Sequence, residues 1–253
     1  MRILSITIFT AAALLLSGCA GNDSVSKFWN GVDTTVTEDN YSQAQDRFAD
    51  FAELTVAVPA KQASAALDKL LDKLTSDEVS YYVYSEWLVA AYHSLLSPCR
   101  NPELFARCVE RFRKDGIMNE SEYAPLLELA AKDKLNAAGT ELTLPLLKDA
   151  SGEPATLAFS QETVFAVINL DCATCVSALS ALADKPGKHV ALCFGHTPAP
   201  EIPGWEYFYS DSMDEIFDLD AAPFWFTAGA DGIIVTPYTR VPEYNRFATP
   251  QNQ

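Results

Sequence analysis

Two cysteines separated by two residues are the part of this sequence whose types and spacing could do chemistry. Cys172 and Cys175 enclose Ala173 and Thr174, which gives a C-x-x-C motif. Thiols at this spacing can form and reopen a disulfide, because a thiolate attacks a disulfide sulfur through a mixed-disulfide intermediate. The motif predicts thiol–disulfide exchange, and the alternative is a static disulfide without catalytic use.

A predicted strand and a predicted helix position this motif. Residues 164–170 form an apolar run typical of a buried strand, and residues 173–183 carry apolar side chains at helical spacing. Cys172 then lies at a helix N-terminus, where the dipole and the free N–H groups favour the thiolate. Asp171 acts in the opposite direction, because a neighbouring carboxylate disfavours ionisation of a thiol. We therefore expect Cys172 to be less acidic than its helix position alone would make it.

A zinc site is the competing interpretation of the same cysteines. The pattern C-x2-C-x17-C-x2-H, which is a zinc-site spacing, is formed by Cys172, Cys175, Cys193 and His196. Residues 189–194, however, form a second apolar run, and a free cysteine inside a buried strand behaves as a small apolar side chain. We predict a buried, inert Cys193, no bound metal, and no cofactor other than the dithiol.

The cysteines of the N-terminal half leave two alternatives open. Cys99 and Cys108 flank a turn and the start of an amphipathic helix. In an oxidising compartment they could form a structural disulfide. They could equally be two free thiols, since Cys108 lies on the apolar face of that helix, and a sequence does not give the distance between them.

The first residues of the chain predict export. Residues 3–16 are apolar but too few for a comfortable membrane span. The Leu-Ser-Gly-Cys sequence at 16–19 resembles a bacterial lipobox, which implies removal of residues 1–18 and attachment of lipid to Cys19; an ordinary secretory peptide is the alternative. Ala20 is compatible with sorting to the outer membrane. We expect a lipid-anchored protein that faces the periplasm, where disulfides can persist.

The charge of the chain weighs against nucleic acid as a partner. Lys and Arg total 18 against 34 Asp and Glu, a formal net charge of −16, whereas phosphate binding needs a basic surface. The same balance weighs against adhesion to anionic lipid through basic residues. Four acidic residues lie close together without the spacing of a calcium-binding loop: Asp211, Asp214, Asp218 and Asp220. We predict that they form a solvent-exposed acidic edge of the protein.

Composition and periodicity divide the chain after residue 18. Residues 19–40 are polar and predict a tether, with Phe28 and Trp29 expected to dock on the part that follows or, alternatively, to contact a partner. Residues 41–139 carry the apolar spacing of amphipathic helices. Residues 140–253 predict strands, beginning with an alternation over 142–146. The predicted fold is α+β in two domains, an all-α domain followed by an α/β domain with a mixed sheet flanked by helices.

After Cys19 the chain resembles a family of bacterial lipoproteins with an N-terminal helical domain of the DUF5106 type and a C-terminal thioredoxin-like domain. The resemblance is carried by Phe28-Trp29, Ser97-Pro98, Arg100-Asn101 and the strand that ends in Asp171-Cys172-Ala-Thr-Cys175. It implies a thiol–disulfide oxidoreductase that reduces or isomerises protein disulfides and takes electrons from a redox partner protein. A non-catalytic thioredoxin-like scaffold with a static disulfide remains the alternative.

The same resemblance implies roles for four residues. Cys172 is the expected attacking thiolate, and Cys175 resolves the mixed disulfide. Pro223 precedes an apolar strand at the place where thioredoxin-like proteins carry a cis-proline that packs against the dithiol. Ala222 is then the residue whose backbone could pair with a substrate strand, and an ordinary proline at the start of a strand is the alternative.

Overall fold

A helical region precedes a mixed sheet in the computed structural model, which describes residues 25–241. The helices are α1 (Tyr41–Val56), α2 (Ala60–Leu74), α3 (Glu78–Tyr92), α4 (Pro102–Asp115), α5 (Glu120–Leu135), α6 (Ala173–Leu182) and α7 (Met213–Ile216), with a 3-10 turn at Leu219–Ala221. The predicted signal peptide and lipidated Cys19 lie outside the described residues. Within residues 25–241, none of the helices has the length and apolar character needed to cross a membrane.

Helix α4 shows how the sequence sets the bounds of these helices. The Asn101 side chain accepts hydrogen bonds from the N–H groups of Glu103 and Leu104, both at 3.1 Å. Pro102 occupies the first turn, and Gly116 ends the helix at a φ of 70°. One face is buried in the core of the helical region: Leu104, Phe105, Ala106, Cys108, Val109 and Phe112.

The segment before α1 is packed against the helices. Trp29 is only 3% exposed, and its ring centroid lies 5.3 Å from that of Phe51 and 5.9 Å from that of Tyr84. The centroids of Phe28 and Phe51 are 5.5 Å apart. The predicted docking of this aromatic pair is confirmed, and the predicted tether is packed from Val25 onward because these rings bury apolar surface.

The α/β domain is built on a seven-stranded sheet within the described residues, in the order β2-β1-β5-β4-β3-β6-β7. The strands are β1 (Leu147–Lys148), β2 (Pro154–Ala155), β3 (Thr163–Asn169), β4 (Lys188–Phe194), β5 (Trp205–Tyr209), β6 (Phe224–Ala228) and β7 (Ile234–Arg240). Strand β3 is parallel to β4 and antiparallel to β6. The predicted mixed sheet after a helical region is confirmed.

Both faces of the sheet are covered, because side chains of β3 alternate between two cores. Val164, Ala166 and Ile168 pack with Leu179 and Leu182 of α6. The other face of the sheet buries a second set: Phe165, Val167, Val190, Leu192, Phe224 and Phe226, with Met213 and Phe217 from the segment after β5. Helix α6 is thereby held on one face with its N-terminus at the end of β3.

The strand predicted from the alternation at 142–146 is wrong. Leu142 and Leu144 pack against the sheet core without belonging to a strand, Leu146 is 87% exposed, and β1 begins only at Leu147. A single bridge joins Glu141, just before this stretch, to Ile233, and within the stretch the N–H of Leu142 donates to the Gly232 carbonyl at 2.9 Å. Alternation alone did not distinguish a strand from a connecting segment that lies on the core.

Polar and apolar contacts join the helical region to the α/β domain. The Asn136 side chain, just after α5, donates to the hydroxyl of Tyr238 at 2.8 Å. Leu95 packs against the sheet core. His93 Nε2 lies 3.2 Å from Asp218 Oδ2. The prediction of a solvated acidic edge is therefore wrong for Asp218, because this carboxylate faces a histidine of the helical region.

Candidate active site

The C-x-x-C motif lies at the point where β3 leads into α6. The N–H of Leu170 donates to the carbonyl of Phe194 at 2.8 Å, which extends the β3–β4 pairing by one residue. Cys172 follows as the N-cap residue, with its N–H donating to the Asn169 carbonyl at 3.3 Å, and α6 begins at Ala173. The predicted arrangement of strand, motif and helix is confirmed.

The two cysteines form a disulfide and differ in exposure. Their Cα atoms are 5.2 Å apart, which lies within the usual range for a disulfide. Cys172 is partly exposed, whereas Cys175 is only 3% exposed. The N–H of Cys175 donates to Cys172 Sγ at 3.2 Å. In the reduced protein this N–H and the helix dipole would stabilise a thiolate on the more accessible sulfur.

Asp171 connects the motif to the loop after β4. Its carboxylate accepts hydrogen bonds from the N–H of His196 at 3.0 Å, from the N–H of Thr197 at 2.8 Å and from the Thr197 hydroxyl at 2.7 Å. The bonds from Thr197 and His196 hold the pKa of Asp171 below its usual range. Asp171 is thus a carboxylate beside Cys172, and its expected effect on the Cys172 thiol stays a prediction.

Gly195 allows this loop to approach the motif. Its φ is +100°, and a Cβ at this position would lie 2.8 Å from Asn169 Oδ1 and 2.9 Å from Asp171 Oδ2. Both oxygens are already held by hydrogen bonds, Asn169 Oδ1 by the N–H of Asp171 at 2.9 Å. Only glycine fits here without displacing these side chains.

Gly195→Ala is expected to lower the free energy of unfolding by about 1–3 kcal/mol, because it adds backbone strain and pushes the Asp171 carboxylate away from Thr197. Urea unfolding measures the loss. Gly204→Ala is the matched control, since Gly204 also has a positive φ, +87°, but an added Cβ meets nothing within 4 Å. Equal losses in the two variants would contradict a close approach at Gly195.

A cis peptide bond joins Ala222 and Pro223. The predicted cis geometry at this proline is confirmed. Phe224 pairs with Val167, so Pro223 immediately precedes β6 at the end of β3 from which the chain runs to Cys172. Ala222 and Pro223 are both buried. The sheet register therefore brings the cis-proline and the disulfide to the same edge, while the role of these two residues in substrate binding stays a prediction.

The structure does not assemble the zinc site. Cys193 is a free, buried thiol in β4 whose Sγ donates to the Ala191 carbonyl at 3.7 Å. Burial raises its pKa to about 12. Among residues 25–241, no cluster of three or more His, Cys, Asp and Glu side chains could hold a metal ion. His196 contacts the motif through its backbone, since its N–H donates to Asp171 Oδ1 at 3.0 Å.

Cys99 and Cys108 are unpaired, buried thiols. Of the two alternatives left open by the sequence, the free thiols are therefore the ones found. Burial raises the pKa of Cys99 to about 11, with Glu53 adding to the rise, and burial also raises the pKa of Cys108. A buried thiol with a raised pKa is a poor nucleophile, so the exposed redox group of the described region is the Cys172–Cys175 pair.

Two residues near the motif and one in the helical region escaped sequence analysis. Thr197 is 26 residues from Asp171 in sequence, and Gly195 also approaches Asp171 only in the folded chain. His93 belongs to the helical region and reaches the α/β domain through Asp218. No local pattern marks such contacts, although a Gly-His-Thr sequence directly after a buried strand could have suggested a tight loop.

A mixed sheet, a C-x-x-C at the start of a helix and a cis-proline at the same sheet edge define a thioredoxin-like domain after a helical region. A thioredoxin-like protein from Bacteroides caccae ATCC 43185 has a similar solved structure: the match covers 94% of this chain and 96% of that one, with a TM-score of 0.71 and 18% sequence identity. This likeness shows the fold.

The C-terminal domain of an uncharacterized protein from Bacteroides fragilis NCTC 9343 also matches, over 40% of this chain and 89% of that one, with 17% identity and a TM-score of 0.33. No family model matches the sequence, and comparison with curated proteins finds no match.

Proposed function

We propose that this protein is an exported, lipid-anchored thiol–disulfide oxidoreductase that reduces or isomerises disulfides of other proteins. The observation that carries the proposal is the disulfide at the first turn of α6. Its first sulfur is partly exposed, its second is buried, and the cis peptide bond of Pro223 lies at the same sheet edge. This arrangement suits attack by one thiol and resolution by the other.

The proposed reduction proceeds in two exchanges. The Cys172 thiolate attacks a substrate disulfide, a bond forms between Cys172 Sγ and one substrate sulfur, and the other substrate sulfur leaves as a thiolate that takes up a proton. The Cys175 thiolate then attacks Cys172 Sγ and releases the second substrate thiol. The substrate gains two electrons, and the protein is left with the Cys172–Cys175 disulfide that the structure shows. An external dithiol protein then restores the reduced form.

Substrate binding is proposed at the segment that precedes β6. A cis-proline removes an N–H from the backbone and turns the chain, and Ala222 lies directly before it at the edge shared with the motif. An extended segment of the substrate could run along the backbone of Ala222 and present its disulfide to Cys172. Pairing of this kind uses main-chain groups and tolerates many substrate sequences.

The anchor is proposed at Cys19, facing the periplasm from the outer membrane. Packing against the helices begins at Val25. The interval from Cys19 to Val25 could span about 20 Å at most, since an extended chain covers roughly 3.3–3.6 Å per residue. A lipid on Cys19 would therefore keep the helical region close to the membrane surface. The relation to lipoproteins of the DUF5106 type belongs to the same proposal.

The test combines a reduction potential with an activity. The full chain in detergent is equilibrated with thiol buffers to obtain the potential of the Cys172–Cys175 pair, and its reduction of insulin disulfides is followed with dithiothreitol as donor. We expect catalysed reduction by the wild type and none by Cys172→Ser. A potential below about −300 mV, together with no activity, would instead identify a static disulfide in a non-catalytic scaffold.

A further inference from the structure

A partly buried histidine joins the helical region to the thioredoxin-like domain. His93, directly after α3, is 14% exposed. Its Nδ1 lies 2.8 Å from Asp133 Oδ2 in α5, and its Nε2 lies 3.2 Å from Asp218 Oδ2 in the thioredoxin-like domain. One imidazole thus contacts two carboxylates that belong to different parts of the chain.

The helical region fixes this imidazole from several sides. Arg100 Nη2 donates to Asp133 Oδ1 at 2.7 Å, and Arg100 Nε donates to the His93 carbonyl at 3.2 Å. The ring of Phe105 stacks on the imidazole with centroids 4.7 Å apart. Burial alone would lower the pKa of His93, but the hydrogen bonds with Asp133 and Asp218 outweigh it and raise the pKa to about 9. Both ring nitrogens therefore donate at neutral pH.

Asp218, the carboxylate that His93 contacts in the thioredoxin-like domain, begins the turn that leads to the cis-proline. Asp218 Oδ1 accepts the N–H of Asp220 at 3.2 Å, which caps the 3-10 turn Leu219–Ala221. The N–H of Ala222 then donates to the Leu219 carbonyl at 3.2 Å, and the cis bond to Pro223 follows. We call residues 218–223 the cis-proline turn.

We infer that His93 is a positioning residue: through Asp218 the helical region holds the cis-proline turn, and thereby sets how a disulfide substrate binds beside Cys172. The inference rests on the proposed function for its consequence in catalysis. The holding of the turn itself rests on the contacts of His93 and Asp218. A charged hydrogen bond between half-buried groups is stronger than a neutral one, so its loss should loosen the turn.

The test replaces His93 by Gln in the full chain and compares three readouts. Amide hydrogen exchange in peptides covering residues 217–224 should become faster. The KM for insulin should rise roughly fivefold or more, the lower end of coupling between distinct sites. The kcat and the reduction potential of the disulfide should stay unchanged, because the motif and its hydrogen bonds are not touched.

Two further variants complete the experiment. Asp218→Asn removes the charge from the same contact, while its amide oxygen can still accept the N–H of Asp220, and this variant serves if His93→Gln does not fold. Asp214→Asn is the matched control, since it removes a negative charge from an exposed position of the same acidic stretch and should change none of the readouts.

The outcomes separate the inference from the proposed function. Faster exchange in the turn together with a raised KM supports the inference. Unchanged exchange in an active protein overturns it, as does a changed reduction potential with an unchanged KM. If the wild type has no activity but exchange in the turn still becomes faster, the oxidoreductase assignment fails while the positioning of the turn by His93 stands.

Discussion

A Cys175→Ser variant is expected to accumulate a covalent complex with a disulfide substrate, whereas Cys172→Ser is expected to capture none. Cys172 is the partly exposed cysteine, and its sulfur accepts a hydrogen bond from the N–H of Cys175. Because both features favour an accessible thiolate, Cys172 is the thiol able to attack. Without Cys175 the mixed disulfide on Cys172 has no neighbouring thiol to resolve it. Each reduced variant is mixed with insulin, and the adduct is detected by non-reducing gel and by mass spectrometry.

The controls for trapping use the same chain. Dithiothreitol should release the adduct, which shows that the link is a disulfide. Cys193 supplies an internal control because it is buried and its pKa is raised to about 12, so it should not react. A complex formed by Cys172→Ser at the level of Cys175→Ser would mean that another cysteine attacks, and the assigned order of attack would be wrong.

Asp133→Ala is expected to lower the free energy of unfolding by about 3 kcal/mol. Asp133 is 5% exposed and accepts hydrogen bonds from His93 and Arg100, each of which is 14% exposed. Removing one partner of a buried pair leaves uncompensated charge and costs about 3–5 kcal/mol, and the slight exposure of both cations favours the lower end. Urea unfolding at pH 7 measures the loss.

The pH dependence gives this prediction a second observable. The pKa of His93 is raised from 6.5 to about 9 in the folded protein, so its contribution to stability is complete below about pH 6.5 and is lost as the pH rises through 9. The difference between wild type and Asp133→Ala should therefore narrow toward pH 10, without vanishing, since Arg100 stays charged.

An exposed ion pair is the matched control for Asp133. Glu110 pairs with Arg113 in α4, and their side chains are 61% and 52% exposed. Glu110→Ala should cost no more than about 0.5 kcal/mol, because a solvated pair contributes little. A loss as small as this in Asp133→Ala would show that the cluster of His93, Arg100 and Asp133 does not stabilise the fold.

Much of the site could be predicted because it is encoded locally. The apolar run at 164–170, the two cysteines and the helical spacing that follows are neighbours in sequence, and the structure keeps them together as β3, the disulfide and α6. The cis bond between Ala222 and Pro223 followed from the resemblance to thioredoxin-like domains. Buried strands and amphipathic helices have short periods, so a few residues suffice to recognise them.

Other parts could not be predicted because their partners are far apart in sequence. Whether Cys99 meets Cys108, and whether Cys193 joins the motif, depends on tertiary distances, and the structure leaves all three thiols unpaired. The alternation around Leu146 had the period of a strand but lacked a partner over most of its length. Pairing and burial are properties of the whole fold, which local pattern does not contain.

The sequence by itself determined the chemistry available to this protein: a dithiol at the start of a helix, on a mixed sheet after a helical region. Only the tertiary structure decided what surrounds that dithiol. Asp171 is held by the loop that Gly195 brings close, and the cis-proline turn is tied through Asp218 to His93. The physical reason is separation along the sequence. The position of a cysteine at the start of a helix follows from adjacent residues, whereas hydrogen bonds between distant segments form only once the chain has packed.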